Sequence, residues 1–232
     1  MRLSASGKLF GSCLLGAMAA LSLSACETVG TPVAEVAPPP PPPPPAPPAD
    51  VTVLPDWRSV ITNADRERYA RRAEAWEVSL EQALFMDGSG NLEALGDLIR
   101  PEAALNDPSI PNGLYRCRTV KLGSQSNDGL GFVVYGWFNC RIQQTAQGQT
   151  LVKLTGSQRQ HGTFYPESQT HSVLLGSMAL SNETSAPAYG QRHDRDVVAV
   201  LERIGDQRWR LVTPWPRAES NLDILELVPA SR

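Results

Sequence analysis

The side chains best suited to hold a charged ligand are Arg116, Arg118, Arg141, Lys153, Arg159 and His161, all within a stretch that alternates apolar and polar residues. A guanidinium presents a rigid fork of donors that matches a carboxylate or phosphate through two parallel hydrogen bonds. Arginine dominates the set, because Lys121 and Lys153 are the only lysines after Lys8. Arg116, Arg118, Arg159 and His161 are therefore the candidate ligand-binding residues. The competing reading pairs these cations with Asp194, Asp196, Glu202 and Glu226 across a sheet, which makes them structural.

Catalytic constellations are thin. Ser157 in Gly156-Ser157-Gln158-Arg159 is the best nucleophile, with His161 and Asp196 as partners. It lacks the second glycine of a G-x-S-x-G elbow and precedes no helix. Asp194 with Asp196, or Asp223 with Glu226, offers two carboxylates of the kind glycoside cleavage uses. His161, His171 and His193 do not have the tight spacing of a zinc site, so no metal is expected. No phosphate-cradling glycine loop or dinucleotide fingerprint occurs, so no cofactor is expected either. No residue is assigned as catalytic, and the sequence favours a non-enzymatic role. A net charge of -3 also argues against a nucleic-acid partner, which selects basic surfaces.

The N-terminus carries an address. Arg2 and Lys8 precede an uncharged run from Leu9 to Leu23, which ends at Leu23-Ser24-Ala25-Cys26. This reads as a secretory signal over residues 1–25 and resembles a bacterial lipobox, in which the cysteine becomes the first mature residue and carries the lipid. Cys26 is thus the expected lipidation site, with the lipid bilayer as its partner. Acyl chains contribute about 0.8 kcal/mol per buried CH₂, so two or three of them anchor a protein durably. Glu27, by resemblance to lipoprotein sorting in enteric bacteria, favours the outer over the inner membrane, with the domain facing the periplasm. Residues 26–55 form a tether containing unbroken proline from Pro38 to Pro45, then Ala46-Pro47-Pro48. Such a run adopts polyproline II and spans roughly 34 Å.

With Cys13 removed and Cys26 acylated, Cys117 and Cys140 remain, an even pair in an exported domain. That context favours a disulfide, which would contribute about 3 kcal/mol for a loop of this length.

The elements that position these residues split at residue 113. Residues 56–112 read as helical: Tyr69, Ala73, Trp76, Leu80 and Leu84 recur at spacings of three and four, behind a Thr62-Asn63-Ala64-Asp65 cap. Glu67 and Arg71 are placed to pair. Asp87-Gly88-Ser89-Gly90 ends this helix, and Asn91 caps a short second one. Residues 113–232 read as strands near 113–122, 131–143, 150–156, 160–165, 172–180, 196–204, 208–213 and 222–228. In the second strand Phe132, Val134, Phe138, Cys140 and Ile142 are expected on one face. The expected fold is α+β: an N-terminal helical hairpin packed on an antiparallel sheet of about eight strands, closed as a small barrel or stacked as a sandwich. Residues 51–112 carry net -5 and residues 113–232 net +3, consistent with acidic helices lying on a slightly basic sheet.

Several pieces occur in order along residues 56–229: Asp56-Trp57, Asp65-Arg66, Gly113-Leu114-Tyr115-Arg116-Cys117-Arg118, Lys121-Leu122-Gly123, Gly156-Ser157-Gln158-Arg159, Tyr165-Pro166, Arg195-Asp196, Glu202-Arg203, Arg208-Trp209-Arg210-Leu211-Val212, Pro214-Trp215-Pro216 and Leu225-Glu226-Leu227-Val228-Pro229. With them the chain resembles the bacterial family domain of unknown function 4893, which implies an envelope protein and transfers no activity. The expected function is a membrane-anchored envelope lipoprotein for binding or envelope maintenance, with peptidoglycan or an envelope protein as partner. One alternative is a lipoprotein inhibitor of a lysozyme or protease, since a Tyr-x-Cys strand in a small disulfide-bonded barrel resembles such inhibitors. A second is a cell-wall hydrolase.

Overall fold

The structure, a computed structural model, describes residues 53–230. Residues 1–25, expected to be a signal, together with Cys26 and the proline run lie outside the described residues. Three short helices open the domain: α1 (Trp57–Val60), α2 (Asn63–Ala70) and α3 (Arg72–Phe85). Nine strands follow: β1 (Gly88–Ser89), β2 (Gly113–Leu122), β3 (Phe132–Thr145), β4 (Gly148–Lys153), β5 (Gln158–Pro166), β6 (Ser172–Leu180), β7 (Asp196–Gly205), β8 (Arg208–Pro214) and β9 (Leu222–Pro229).

Strands β2 to β9 form one antiparallel sheet in the order β3-β2-β9-β8-β7-β6-β5-β4, and β3 pairs with β4 to close it. Barrel, not sandwich, is therefore the outcome. The two-residue β1 runs parallel along β3 outside the ring. Alternation sends every second side chain inward. The interior takes Tyr115, Cys117, Cys140, Ile142, Leu151, Phe164, Leu174, Ala199, Leu201, Leu211, Leu225 and Leu227, so all eight strands contribute to one core. Gly162 and Gly176 face each other across β5 and β6. A Cβ on Gly176 would sit 2.2 Å from the carbonyl oxygen of His161, so the wall can be this tight only with glycine there. Cys117 and Cys140 form a disulfide between β2 and β3, with Cα atoms 5.9 Å apart.

The helices lie on the outside of part of the ring. Trp57, Ile61 and Tyr69 pack on Val173, Leu175, Val198 and Val200 of β6 and β7. Ala75, Trp76 and Ala83 of α3, with Leu95 and Leu98 beyond it, pack on Val120, Leu122, Val212, Leu222 and Ile224 of β2, β8 and β9. That is why β7, β8 and β9 are buried on both faces while much of β3 is exposed.

The helical front differs from the expected hairpin. Ile61 and Thr62 are extended and Arg71 leaves helical geometry, so one long helix becomes three pieces that follow the curved wall. Thr62 does cap α2, its hydroxyl accepting from the Asp65 backbone at 3.3 Å. Arg71 pairs with Glu74 and not with Glu67. The second helix is a 3-10 segment, Glu93–Ile99, kinked at Gly96, with Asn91 bonded to the Ala94 backbone at its start. Strand β3 also departs from a single alternation. Its pairing with β2 steps from Arg118↔Trp137 to Val120↔Val134, so Tyr135 and Gly136 together stand against Thr119. This bulge swaps faces: Phe138, Cys140 and Ile142 point inward, while Phe132 and Val134 point out under α3.

Candidate functional site: the polar mouth of the barrel

The two ends of the barrel differ chemically. At the end where β2 and β9 meet at Tyr115 and Pro229, Ile110 plugs the core. There the Trp209 indole donates to the Ser109 carbonyl at 3.0 Å and the Tyr115 hydroxyl to the Pro111 carbonyl at 2.8 Å. At the opposite end the inward positions turn polar: Thr119 and Lys121 on β2, Lys153 on β4, Gln158 and Gln160 on β5, Thr213 on β8 and Asp223 on β9. This is the mouth.

Lys121 is neutralised. Its Nζ lies 3.0 and 3.2 Å from the two Asp223 carboxylate oxygens and 3.3 Å from Glu219. Asp223 also accepts from the Ser220 hydroxyl. Lys153 has no such partner: it is 4% exposed, and among the described residues no carboxylate lies within 4.0 Å of its amine. It makes one long hydrogen bond, 3.3 Å, to the Thr119 hydroxyl, and its Nζ sits 4.3 Å from the Phe138 ring centroid. Burial drives the Lys153 amine down to about 8, helped by the neighbouring charge of Lys121. On β5, just beyond the last β4–β5 pair, the buried Gln160 Oε1 has no hydrogen-bond partner. Two clefts open here. One, of about 130 Å³, is lined by Lys153, Thr119, Tyr135, Phe138, Ser157 and Glu219. The other, about 110 Å³, includes Gln160, Thr213 and Asp223, and Lys121 and Gln158 line both. Over the mouth runs the β8–β9 connection, in which Trp215 and Glu219 hold positive φ of 47° and 74°. Non-glycine residues there are strained, a feature that collects at binding loops.

The residues predicted from sequence go elsewhere. Arg116 and Arg118 share the outer face of β2 and stack on Trp137, at 4.6 and 4.9 Å from its centroid. Arg118 is also bonded to Glu226. Arg159 lies on β5 and donates to the carbonyls of Gly156, Ser181 and Glu183, which ties down chain turns. His161 is exposed on the outer face of β5. Strands β3 and β4 separate β5 from β2, so the four do not converge on one pocket. The cross-sheet pairing alternative holds for Arg118 with Glu226, and also for Arg208 with Glu226 and Arg210 with Glu202.

The catalytic alternatives are likewise taken apart. Register runs His161↔Ser177↔Asp196, so His161 and Asp196 stand two strands apart, roughly 9.5 Å. Asp196 instead binds the Gly190 backbone at 2.9 Å and His193 at 3.1 Å. Asp223 points into the mouth whereas Glu226 points out to Arg118 and Arg208, and Asp194 is exposed on Arg192. Among the described residues no three His, Cys, Asp or Glu side chains gather as a metal site.

A larger apolar groove of about 360 Å³ lies between α3 and the outer wall, edged by His171 and Glu202. Its buried polar groups are engaged: Glu202 takes Arg210 and His171, and His171 Nδ1 faces the hydroxyls of Ser168 and Thr170 at 3.2 and 3.1 Å. A binding site needs free polar groups to orient a ligand, and the mouth has them. Sequence reasoning grouped Lys153 with outward arginines and passed over Thr119 and Gln160. The parity of Leu151 and Lys153, and of Gln160 and Phe164, was the available signal, since each polar residue shares a face with a core residue.

No curated protein and no solved structure matches the chain. A family model does, over residues 57–227, which takes in all three helices and nearly the whole barrel. The chain belongs to that family, Domain of unknown function (DUF4893).

Proposed function

We propose that the protein is a lipid-tethered lipoprotein of the bacterial envelope whose barrel is a non-enzymatic binding module, taking an anionic envelope component at the polar mouth. The observation that carries the binding half is Lys153, a buried amine left without a counter-charge where the barrel opens. An unpaired buried charge is costly, and a ligand anion offsets that cost when it binds. The tether half rests on the leader ending at Cys26, the proline run behind it and the Cys117–Cys140 bridge, which suits an oxidising compartment. On this reading the domain faces the periplasm, with the outer membrane favoured by Glu27 and peptidoglycan as the leading partner.

The test uses the full chain in its bacterial host. Radiolabelled palmitate should enter the protein and be lost in Cys26→Ser, which should also leave the membrane fraction. Purified peptidoglycan sacculi should co-sediment the detergent-solubilised protein and release the Lys153→Met variant. Palmitate-free protein in the soluble fraction overturns the tether. Equal sedimentation of both proteins overturns the mouth as the binding surface.

A further inference from the structure

We infer that the Lys153 pocket receives the terminal carboxylate of an acylated amino acid or peptide, with Lys153 Nζ and the Thr119 hydroxyl meeting the carboxylate and Gln160 Oε1 accepting the adjacent amide N–H. This rests on the mouth being the binding surface and adds the chemical class of what binds.

The argument starts from charge. Lys121 already has Asp223 and Glu219 at salt-bridge distance, so Lys153 is the amine of the mouth with no carboxylate within 4.0 Å. These two amines and two carboxylates balance, so the mouth suits a monoanion set against Lys153; a phosphate dianion would bury a larger surplus of negative charge. Size comes next. Clefts of about 130 and 110 Å³ are smaller than the roughly 300 Å³ or more of a typical ligand pocket, which suits the end group of a larger molecule. Directionality is the third point. The β4–β5 pairing ends at Val152 with His161, and Lys153 and Gln160, the residues next to that last pair, both carry inner-face parity. The lysine offers donors and the orphan Gln160 Oε1 requires one. A carboxylate with an N–H one carbon away presents that pair of functions, whereas a simple fatty acid or an inorganic anion lacks the donor. The two clefts are divided by Gln158, whose amide reaches Glu219 over 3.4 Å, a weak bond that a ligand spanning both clefts can displace.

The Lys153 amine shares the mouth with Lys121 on β2, Asp223 on β9, Glu219 of the β8–β9 connection and Phe138 from β3, and it also feels the charge of Arg159 on the outer face of β5. Only the protonated amine attracts a carboxylate, so affinity should drop about tenfold between pH 7 and pH 9.

The experiment exploits lysine scarcity: beyond the leader the chain has only Lys121 and Lys153. The full chain in detergent is treated with trace acetic anhydride at pH 8, and acetylation of each lysine is read by peptide mass spectrometry. N-acetyl-D-alanine and N-acetyl-L-alanine are the probes, with acetate and inorganic phosphate at matched ionic strength as comparisons. Saturable protection of Lys153, about fivefold or more at about 100 mM probe, with Lys121 unchanged, supports the proposal, and single-site affinities in the millimolar range suffice. Preference for the D probe identifies a cell-wall peptide as the source; preference for the L probe identifies a protein C-terminus. In Gln160→Leu the advantage of the acylated probes over acetate should vanish while acetate protection persists. Four results overturn the inference: no protection, equal protection by phosphate, loss of labelling at both lysines together, or a Lys153 that never labels even at pH 9. Sacculus binding without Lys153 protection overturns this inference alone. Protection without sacculus binding removes peptidoglycan and leaves the carboxylate site standing.

Discussion

Lys153 and Arg210 are the two most deeply buried cations of the barrel wall, and they illustrate opposite uses of a charge. Arg210 is 0% exposed and fully engaged: it binds Glu202, donates to the carbonyls of Leu98, Arg100 and Pro101, and lies 4.9 Å from the Trp76 ring centroid. It therefore fastens the 3-10 segment to β8. Arg210→Ala should cost about 3–5 kcal/mol, because Glu202 and several carbonyls lose their partner inside the protein, measured by urea unfolding. Lys153 behaves in the reverse sense. Its amine titrates at about 8 when folded, against an ordinary 10.5. Between those values the unfolded chain binds more protons, so this group's contribution to stability rises with pH across that window and its cost is constant below it. Lys153→Met should accordingly stabilise the protein by up to about 3 kcal/mol at pH 7, and the difference from wild type should shrink toward zero by about pH 10.5. A variant that unfolds more readily at pH 7 would show that Lys153 is structural. A gain in stability joined to a loss of binding is the mark of a residue retained for function.

At the scale of elements, the disulfide joins β2 and β3 where the wall is least supported from outside, since the helices cover β6 to β9 and part of β2. Reduction, or Cys117→Ala with Cys140→Ala, should lower stability by about 3 kcal/mol while leaving the barrel closed, checked by urea unfolding with and without reductant. The strand spans were legible because each of the eight alternates or runs apolar between turn residues; Gln147-Gly148 and Gly205-Asp206 fell at the expected hairpins. The bulge at Tyr135–Gly136 was not legible. Its cause is a pairing offset with β2, and no property of β3 alone reveals how many residues will face Thr119. The broken helical front has a similar origin. Its apolar spacing supports one helix, but a straight rod cannot follow a curved barrel wall, so contacts to β6 and β7 on one side and β8 and β9 on the other decide where it stops.

For the molecule as a whole, the sequence alone determined the eight strands of the barrel and the pairing of Cys117 with Cys140. These follow from local periodicity and from an even cysteine pair, which need no knowledge of the partner strands. Only the tertiary structure decided that the sheet closes, and closure is what gives an inside. Once β3 meets β4, the parity of each strand acquires a direction: Arg116, Arg118, Arg159 and His161 fall outside, while Lys153, Gln160 and Thr119 fall within the mouth. A run of residues records which side chains share a face, but which face is dry is set by the whole ring, and the energy of a buried amine depends on that.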